Sequence, residues 1–383
     1  MRRLIETLEW LFRHVVVYPV LRILFHNPYS EKRIELSSVK KILILRFDRI
    51  GDMIVTTPIF KALKQRHPGI HIGVFTSSAN AEIVRNNQNV DAVYVLDLNW
   101  WALLKEIMRA RKAHYDVVLN FIFNRTTSAG ILANLVAPKG HKVGQGAEKY
   151  KFYFNRLLRL ERTEKHMVEV LAYFVEQVFG ITLTPAELQF EIAIDTQSRE
   201  HVDAYLSAHE LARKHAPGKR QTGYIVLNVS ATDAVRKISR EQVSALTHHL
   251  VANTSVVVML IGAPSDQELL VNIKRETNSN RCLAYPENGM APLLQIASLI
   301  EGALCVLTPD TSIIHFASAT KTPVMGFFTP LQMTHEWVPF NVHHVAVYAP
   351  TGKPTSELPI PEMTSQVDRF LASLNTEEKD SER

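Results

Sequence analysis

Short apolar runs alternate with amphipathic stretches along the chain from residue 40 onward. Apolar runs bounded by charge are typical of strands buried in a parallel sheet, and apolar residues spaced three and four apart are typical of helices. The first part of this alternation predicts strands at 41–46, 71–75, 92–96, 116–121 and 140–143, and helices at 52–66, 79–87, 99–112, 126–135 and 166–179. Strands that alternate with helices indicate βαβ units and a parallel sheet.

The alternation is interrupted after residue 180, where Pro185, Pro217 and Gly218 surround a polar helix predicted around 197–214. We interpret residues 186–222 as a connection between two domains. The alternation then resumes, with predicted strands at 224–228, 256–261, 281–284, 303–307 and 324–328, and predicted helices at 239–252, 265–277, 291–300, 311–319 and 361–374.

A chain of 383 residues is long enough for two domains of ordinary size. The pattern predicts α/β domains at 39–185 and 223–375, each with a parallel sheet. A segment at 1–38 precedes them. A polar, charged tail at 376–383 follows, and we expect it to be disordered.

The segment 1–38 contains the most apolar stretch of the chain, from Trp10 to Phe25, but charged residues and a proline interrupt it. It falls short of the roughly 18 apolar residues that a membrane span needs, and it lacks the small-residue cleavage site of a signal peptide. Three interpretations stay open: a helix packed on the first domain, an amphipathic segment lying in a membrane interface, and a true span.

Composition narrows the function only slightly. A formal charge of +5 favours an anionic partner without identifying it. The basic residues are not interleaved with aromatic residues in a recognisable module, so we expect no nucleic acid. Cys282 and Cys305 both lie in apolar surroundings, which predicts buried thiols in a reducing compartment.

A first motif, Arg46-x-x-x-x-Gly51-Asp52-x-Ile54-x-x-x-Pro58, stands where the first predicted strand gives way to a helix. In open α/β sheets, ligands bind outside the carboxyl ends of the strands. We expect Gly51 to allow a tight turn there. From the pattern alone, Asp52 is either a site residue or the N-cap of the helix.

A second motif, Asp310-Thr311-Ser312-Ile-Ile-His315, follows the predicted strand at 303–307. The amides of Thr311 and Ser312 at the start of the next helix would point toward a bound phosphate. His315 lies one turn into that helix, where a histidine is either a ligand contact or a structural residue.

The two motifs resemble the opening and C-terminal motifs of the ADP-heptose:lipopolysaccharide heptosyltransferase family, in the same order, within residues 40–345. The resemblance implies the GT-B fold, in which two Rossmann-like domains with parallel sheets face each other across a cleft. It implies an inverting glycosyltransferase that moves heptose from ADP-heptose to the inner core of lipopolysaccharide. The acceptor would bind to the first domain and the nucleotide sugar to the second.

The resemblance also implies roles for single residues. Asp52 matches the presumed catalytic base, and Asp48 is the second choice. Lys237 matches a lysine thought to contact the donor phosphates, although Ile238 and Ser239 stand where the family often has Trp-Pro. The alternative for Lys237 is a solvated basic pair with Arg236. The residues expected to bind the donor are Ser230, Lys237, Glu268, Asp310, Thr311, Ser312 and His315, with Asp266 as an alternative to Glu268 for the ribose.

For the acceptor, Arg49 and Arg125 could bind a phosphate or a sugar carboxylate. The region 139–165 adds eight basic residues against three acidic ones and is expected on the acceptor side. The alternative is a basic surface attracted to anionic lipid. No Asp-x-Asp pair occurs in the sequence, so we expect no obligatory metal and no cofactor besides the nucleotide sugar.

The full expectation is a cytoplasmic monomer in peripheral contact with the cytosolic face of the inner membrane. Two other interpretations stay open. One is the same fold using another nucleotide sugar for a surface glycan. The other is a non-catalytic glycan-binding relative. The joint presence of Asp52, Lys237 and Asp310 favours an enzyme over the latter.

Overall fold

The predicted alternation of strands and helices is present as two six-stranded parallel sheets. The computed structural model of the chain describes residues 15, 17–25, 27–97, 99–123, 126–160, 165–214, 222–331 and 335–381. These residues form two units. The first unit holds the described residues of Met1–Asp48, Ile59–Arg162 and Val168–Leu188, and the second holds those of Arg49–Pro58, Thr163–Met167 and Gln189–Arg383.

The sheet of the first unit contains β1 (Lys41–Leu45), β2 (His71–Ser77), β3 (Ala92–Leu96), β4 (Val117–Asn120), β5 (His141–Gln145) and β6 (Arg156–Leu158). Their order is β3-β2-β1-β4-β5-β6. Ile44 of β1 lies opposite Val74 on one side and Leu119 on the other. The connecting helices are α2 (Ile50–Arg66), α3 (Ala81–Arg85), α4 (Trp100–Lys112) and α5 (Thr126–Val136), with α1 (Tyr18–Leu24) before them and α6 (Met167–Phe179) after them.

The sheet of the second unit contains β7 (Tyr224–Asn228), β8 (Val257–Ile261), β9 (Cys282–Ala284), β10 (Val306–Pro309), β11 (Val324–Phe328) and β12 (His344–Tyr348). Their order is β12-β11-β10-β7-β8-β9. The helices are α7 (Thr196–Ala208), α8 (Arg240–Asn253), α9 (Gln267–Thr277), α10 (Leu293–Gly302), α11 (Ser312–Thr320) and α12 (Ile360–Ser381).

Both sheets follow the doubly wound strand order. In this order, successive strands are added on one side of the first strand, and the chain then returns to add the remaining strands on its other side. The reversal lies between β1 and β4 in the first sheet and between β7 and β10 in the second. Leu43, Phe75 and Val118 belong to the core of the first unit, and Leu227 and Leu307 belong to the core of the second. The reversal point of each sheet is the expected place for a ligand.

The structure confirms the ten predicted strands and most of the predicted helices within a few residues, and it adds β6 and β12, which the pattern did not predict. The helices predicted around 197–214 and at 361–374 end instead at Ala208 and at Ser381. Both are edge strands; β6 has only three residues, and β12 is only partly buried. Strands of this kind lack the wholly apolar run that marks a buried central strand. The predicted thiols Cys282 and Cys305 are both buried.

Two boundaries differ from those predicted. The last helix, α12, continues to Ser381 instead of ending at residue 374, so the prediction of a disordered tail from residue 376 is wrong up to that residue. The segment after 374 contains neither glycine nor proline, and Glu and Lys are good helix formers. Within the predicted connection 186–222, α7 packs against α10 and is therefore part of the second unit.

The N-terminal segment is described from Val15 onward, with gaps at residues 16 and 26. In α1, Tyr18 is buried, and its hydroxyl lies 3.3 Å from that of Thr127. Val20, Ile23 and Leu24 are exposed. The described part of α1 therefore packs on the first unit by one side and leaves apolar side chains on another. None of the helices that the structure describes is long and apolar enough to cross a membrane.

Candidate active site

The first turn of α2 carries Asp52, and the loop 46–49 connects that helix to the carboxyl end of β1. The helix begins at Ile50, so Asp52 is its third residue and not its N-cap. The N-cap alternative is therefore excluded. A carboxylate in a first turn is favoured by the partial positive charge of the helix N-terminus, and Asp52 is partly exposed there.

The next turn of α2 is held by Thr57, which precedes a proline inside the helix. Pro58 has no N–H, so it leaves the carbonyl of Ile54 without its usual helical partner. The hydroxyl of Thr57 donates to that carbonyl at 2.7 Å and accepts the N–H of Glu191 at 2.9 Å. This bridge attaches the start of α2 to the second unit, to which Arg49–Pro58 belong.

Gly51 makes a close approach to α11. A Cβ at Gly51 would lie 2.6 Å from Cδ2 of His315 and 3.6 Å from Cα of Ser312. The prediction that Gly51 serves a tight turn is wrong, because the residue lies inside α2. Its lack of a side chain instead lets the first turns of α2 and α11 touch, so that two helix N-termini meet at one place.

His315 is only 4% exposed, and aromatic rings surround it. Its ring centroid lies 6.4 Å from that of His166, 6.1 Å from that of Phe190 and 5.9 Å from that of Trp337. Burial, together with the nearby His166, lowers the pKa of His315 to about 3. Its Nδ1 has no hydrogen-bond partner within the part of the chain that the structure describes. His315 is thus a neutral packing group against Gly51, and the predicted donor contact stays a prediction.

His166, which the sequence reading did not single out, is also held neutral. Burial lowers its pKa to about 4, although a hydrogen bond to the carbonyl of Val338 opposes this shift. Its Nε2 lies 3.0 Å from that oxygen and donates to it. No local motif marks His166, and only packing against Phe340 and His315 connects it to this region.

Asp310 follows β10 and is 4% exposed. Its carboxylate lies 3.3 Å from Nη1 of Arg236. Burial raises the pKa of Asp310, and the positive charges of Arg236 and then Arg49 act against that rise. A buried acid thus lies near two guanidinium groups. Sequence reasoning had treated Arg236 only as one half of a solvated basic pair; its position in the turn before α8 was the available signal.

Lys237 points to a different carboxylate. Its Nζ lies 2.5 Å from Oδ1 of Asp266, and the hydroxyl of Ser230 donates to Oδ2 of Asp266 at 2.7 Å. Burial acts to raise the pKa of Asp266, but the hydrogen bonds from Lys237 and Ser230 outweigh it and lower the pKa. The structure therefore brings Ser230, Lys237 and Asp266 together, while Glu268 is exposed in the first turn of α9.

The reversal point of the second sheet is cross-linked by Asn228 and Thr311. Asn228, at the end of β7, donates to the hydroxyls of Thr308 at 2.9 Å and Thr311 at 3.2 Å. Thr311 is the N-cap of α11, and its hydroxyl accepts the N–H of Ile313 at 3.3 Å. Thr311 thus sets the start of the helix. Ser312 follows it and is partly exposed.

Not every predicted contact can be placed. Arg125 lies outside the described residues. In the basic region 139–165, Lys142 and Arg156 are buried and donate to the carbonyls of Gly140 and Gln177, at 2.8 Å each. The expectation that these two form part of an acceptor surface is wrong, because the strands β5 and β6 turn them inward. Among the described residues, no group of three His, Cys, Asp or Glu side chains could hold a metal ion.

The described site gathers Arg49, Arg236, Asp310, Asp52 and the touching starts of α2 and α11 in one α/β unit. Such helix starts and guanidinium groups bind phosphate, so the site is of the kind that enzymes acting on nucleotide-linked substrates use. The family model for glycosyltransferase family 9 (heptosyltransferase) matches residues 100–362, more than half of the chain. The protein belongs to that family and is a glycosyltransferase.

Curated relatives are similar over most of their length. The lipopolysaccharide core heptosyltransferase OpsX of Haemophilus influenzae is 22% identical over 339 residues, which cover 84% of this chain and 89% of the relative. Lipopolysaccharide heptosyltransferase 3 of Escherichia coli is 23% identical over 352 residues, which cover 85% of this chain and 98% of the relative.

Solved structures show the same fold. A glycosyltransferase family 9 protein of Veillonella parvula superposes with a TM-score of 0.76 at 16% identity, covering 90% of this chain and 100% of that one. The E. coli heptosyltransferase WaaC with ADP has a TM-score of 0.66 at 19% identity, covering 86% and 99%. The GT-B fold that the resemblance implied is thereby confirmed.

Proposed function

We propose that the protein transfers heptose from ADP-heptose to the inner core of lipopolysaccharide, with inversion at the anomeric carbon, without a metal, and with Asp52 as general base. The observation that carries this proposal is the contact between the first turns of α2 and α11 at Gly51 and Ser312. It attaches the helix start that bears Asp52 to the unit in which Asp310, Arg236 and Arg49 lie together.

Support for the substrates comes from relatives. The curated relatives are named as lipopolysaccharide heptosyltransferases, and one structural neighbour is described with ADP. These names concern those proteins. For this chain, the same donor and acceptor are the simplest reading of a family 9 fold that retains Asp52 and Asp310 in the matching motifs.

The proposed reaction is a single displacement. Asp52 removes the proton of an acceptor hydroxyl while the oxygen attacks the anomeric carbon of the heptose. The bond from that carbon to the diphosphate breaks on the opposite face, and ADP leaves with the bonding electron pair. Because negative charge develops on the departing diphosphate, groups that stabilise an anion at that point lower the barrier.

Arg236, Arg49 and the start of α11 are the proposed partners of the diphosphate. Arg236 lies 3.3 Å from Asp310, so that acid holds its guanidinium in place. Lys237 is engaged with Asp266, and we assign it, with Ser230, to the loop that borders the nucleoside. Thr311 caps the helix whose first amides face the anion, and Ser312 follows it there. Glu268, exposed at the start of α9, remains the candidate for the ribose.

The acceptor is assigned to the first unit, with Arg125 as its proposed ion-pair partner. Arg49, which was also expected to bind the acceptor, belongs to the second unit and is assigned to the diphosphate instead. The acceptor is built on a lipid, so we place the monomeric enzyme at the cytosolic face of the inner membrane, in peripheral contact through residues 1–38. The exposed Val20, Ile23 and Leu24 of α1 support that contact.

The direct test is a panel of nucleotide sugars incubated with purified protein and truncated lipopolysaccharide, followed by mass measurement of the acceptor. We expect a mass increase of one heptose with ADP-heptose and none with UDP-linked or GDP-linked hexoses. If only another nucleotide sugar increased the mass of the acceptor, that sugar and not ADP-heptose would be the donor. Binding of the glycan without transfer from any nucleotide sugar would favour a non-catalytic role.

Metal independence needs its own assay. We expect transfer to continue in excess chelator, because guanidinium groups and helix N-termini neutralise the leaving group in this proposal. Loss of transfer on chelation, with recovery on adding magnesium or manganese, would contradict it.

A further inference from the structure

Helix α4 of the first unit leaves an apolar stripe in solvent. Trp100 is 68% exposed, Trp101 76%, Leu104 38% and Met108 47%. Trp101, Leu104 and Met108 follow one another at spacings of three and four residues, so they share one face of the helix. Large apolar side chains exposed together, instead of singly, mark an interaction surface.

The stripe is not the face that attaches α4 to its unit. Ala110 is wholly buried in the core of the first unit, and Ile107 packs against that core. The guanidinium of Arg109 lies over the ring of Tyr94, 4.5 Å from its centroid. The helix is therefore already fixed by its other side, and the stripe is available to a partner.

The charges around the stripe indicate what the partner is. Helix α4 contains four basic residues and one acidic residue. The acidic residue, Glu106, is 2.6 Å from Arg109 and is neutralised by it. Lys105 and Lys112 are exposed, each four residues after an apolar member of the stripe, Trp101 and Met108. Apolar side chains flanked by cations complement an anionic lipid surface, where tryptophan prefers the headgroup level and lysine reaches the phosphates.

A second exposed apolar group lies on α1, which contacts the same neighbouring helix, α5, as α4 does. Helix α1, with its exposed Ile23 and Leu24, contacts one end of α5 through Tyr18 and Thr127. Helix α4 contacts the other end of α5, where Arg111 donates to the carbonyl of Leu135 at 3.2 Å. Both α1 and α4 therefore contact α5, so the two exposed apolar groups belong to neighbouring parts of the first unit.

We infer that Trp100, Trp101, Leu104 and Met108, with Lys105 and Lys112, form a docking surface for a bilayer that contains anionic phospholipid. None of these side chains takes part in the proposed transfer chemistry. The inference rests on the proposed function in one respect, since both place a membrane contact on the first unit. It adds to the N-terminal segment a second element, about 80 residues further along the chain.

The test is co-sedimentation of the full chain with vesicles of phosphatidylethanolamine and phosphatidylglycerol, and with vesicles of phosphatidylcholine alone. Trp100→Ser/Trp101→Ser is expected to weaken binding to the anionic vesicles at least about tenfold. Lys105→Gln/Lys112→Gln is expected to weaken it by roughly tenfold, and only at low salt. Val271→Ser, which removes an exposed apolar side chain from α9 of the second unit, is the control and should bind as the wild type does.

Thermal unfolding of each variant, which should match the wild type because the substituted side chains are exposed, separates docking from folding. Wild-type binding by both double variants would overturn the inference. So would a wild-type dimer in light scattering that Trp100→Ser/Trp101→Ser dissolves, because a second copy would then cover the stripe. Transfer to a soluble acceptor should be unchanged in these variants. If the wild type binds vesicles but transfers no sugar, only the proposed function fails.

Discussion

The buried basic side chains of the first unit serve the fold, whereas the basic side chains at the reversal point of the second unit lie near a buried acid. Lys142 and Arg156 donate to backbone carbonyls, and burial lowers the pKa of Lys142 to about 8. Arg236 instead lies 3.3 Å from Asp310, with Arg49 nearby. The density of basic residues along the chain, highest in 139–165, thus does not coincide with the proposed anion site. That proposal rests instead on the side chain that each cation faces.

The acids differ in the same way. Asp48, in the first unit, pairs with the buried Arg46 at 3.1 Å. Asp52, four residues later, belongs to the second unit and lies in the first turn of α2. Two carboxylates close in sequence are therefore held differently. Asp48 is paired with a buried arginine, and Asp52 lies in the first turn of a helix, where we propose that it acts as the general base.

The sharpest way to break this comparison is to exchange the two acids for amides. Asp52→Asn should lower transfer by about 10²–10⁴, because the general base is lost, while donor affinity stays close to that of the wild type. Asp48→Asn should lower thermal stability and leave transfer per folded molecule largely intact. Single-turnover assays measure transfer and calorimetric titration measures donor affinity in both variants, and thermal unfolding measures their stability. Near wild-type turnover in Asp52→Asn would mean that Asp52 is not the base and only interacts with the positive end of its helix.

The second comparison pairs two arginines. Arg236→Met should weaken donor binding by about tenfold to a hundredfold, the usual size of a lost hydrogen bond to a charged group. Arg156→Met should leave donor binding unchanged and lower the free energy of unfolding by about 1–3 kcal/mol, because the carbonyl of Gln177 loses its buried donor. If Arg156→Met weakened donor binding as much as Arg236→Met, the division of roles between the units would be wrong.

A third prediction concerns the contact between the two helix starts. Gly51→Ala places a methyl group 2.6 Å from the His315 ring, so the first turn of α2 must shift, and we expect about tenfold slower transfer. Gly51→Ala/His315→Ala should recover part of that loss, because the ring that the methyl meets is gone. Gly69→Ala is the matched control, since its nearest neighbouring atom lies 3.9 Å from the added Cβ. If Gly51→Ala and Gly69→Ala slowed transfer equally, the contact between the starts of α2 and α11 would have no specific role in transfer.

The smallest expected effect is a pH dependence of stability. The pKa of His315 is about 3 in the folded protein and that of His166 about 4, against an ordinary value of 6.5. Below pH 6.5 the unfolded chain binds protons that the folded chain does not, so stability falls as the pH drops from 6.5 toward 4. His315→Phe should reduce this slope by up to about 1.4 kcal/mol per pH unit. Urea unfolding at several pH values measures the slope; an unchanged slope would mean that His315 is not held neutral.

Periodicity was sufficient for most of the fold. Apolar runs such as 225–227 are typical of strands in the middle of a parallel sheet, and β7 (Tyr224–Asn228) was predicted residue for residue. The strands β6 and β12 escaped prediction because neither has a wholly apolar run: β6 begins with Arg156 and has only three residues, and β12 begins with His344 and is only partly buried. Asp310 was visible for a comparable reason, because a polar group directly after a buried strand lies at the ligand edge of the sheet. Asp52 lies seven residues after the end of β1, and the family resemblance singled it out.

The sequence by itself determined the α/β class with parallel sheets and the approximate positions of the strand ends, because these depend on the local alternation of apolar and polar residues. Only the tertiary structure decided which charged groups meet. Arg236, and not the neighbouring Lys237, pairs with Asp310, whereas Lys237 pairs with Asp266. The ring of His166 packs near that of His315, 149 positions further along the chain. These pairings depend on the direction in which each side chain leaves its element and on packing between distant segments, and no local pattern records either.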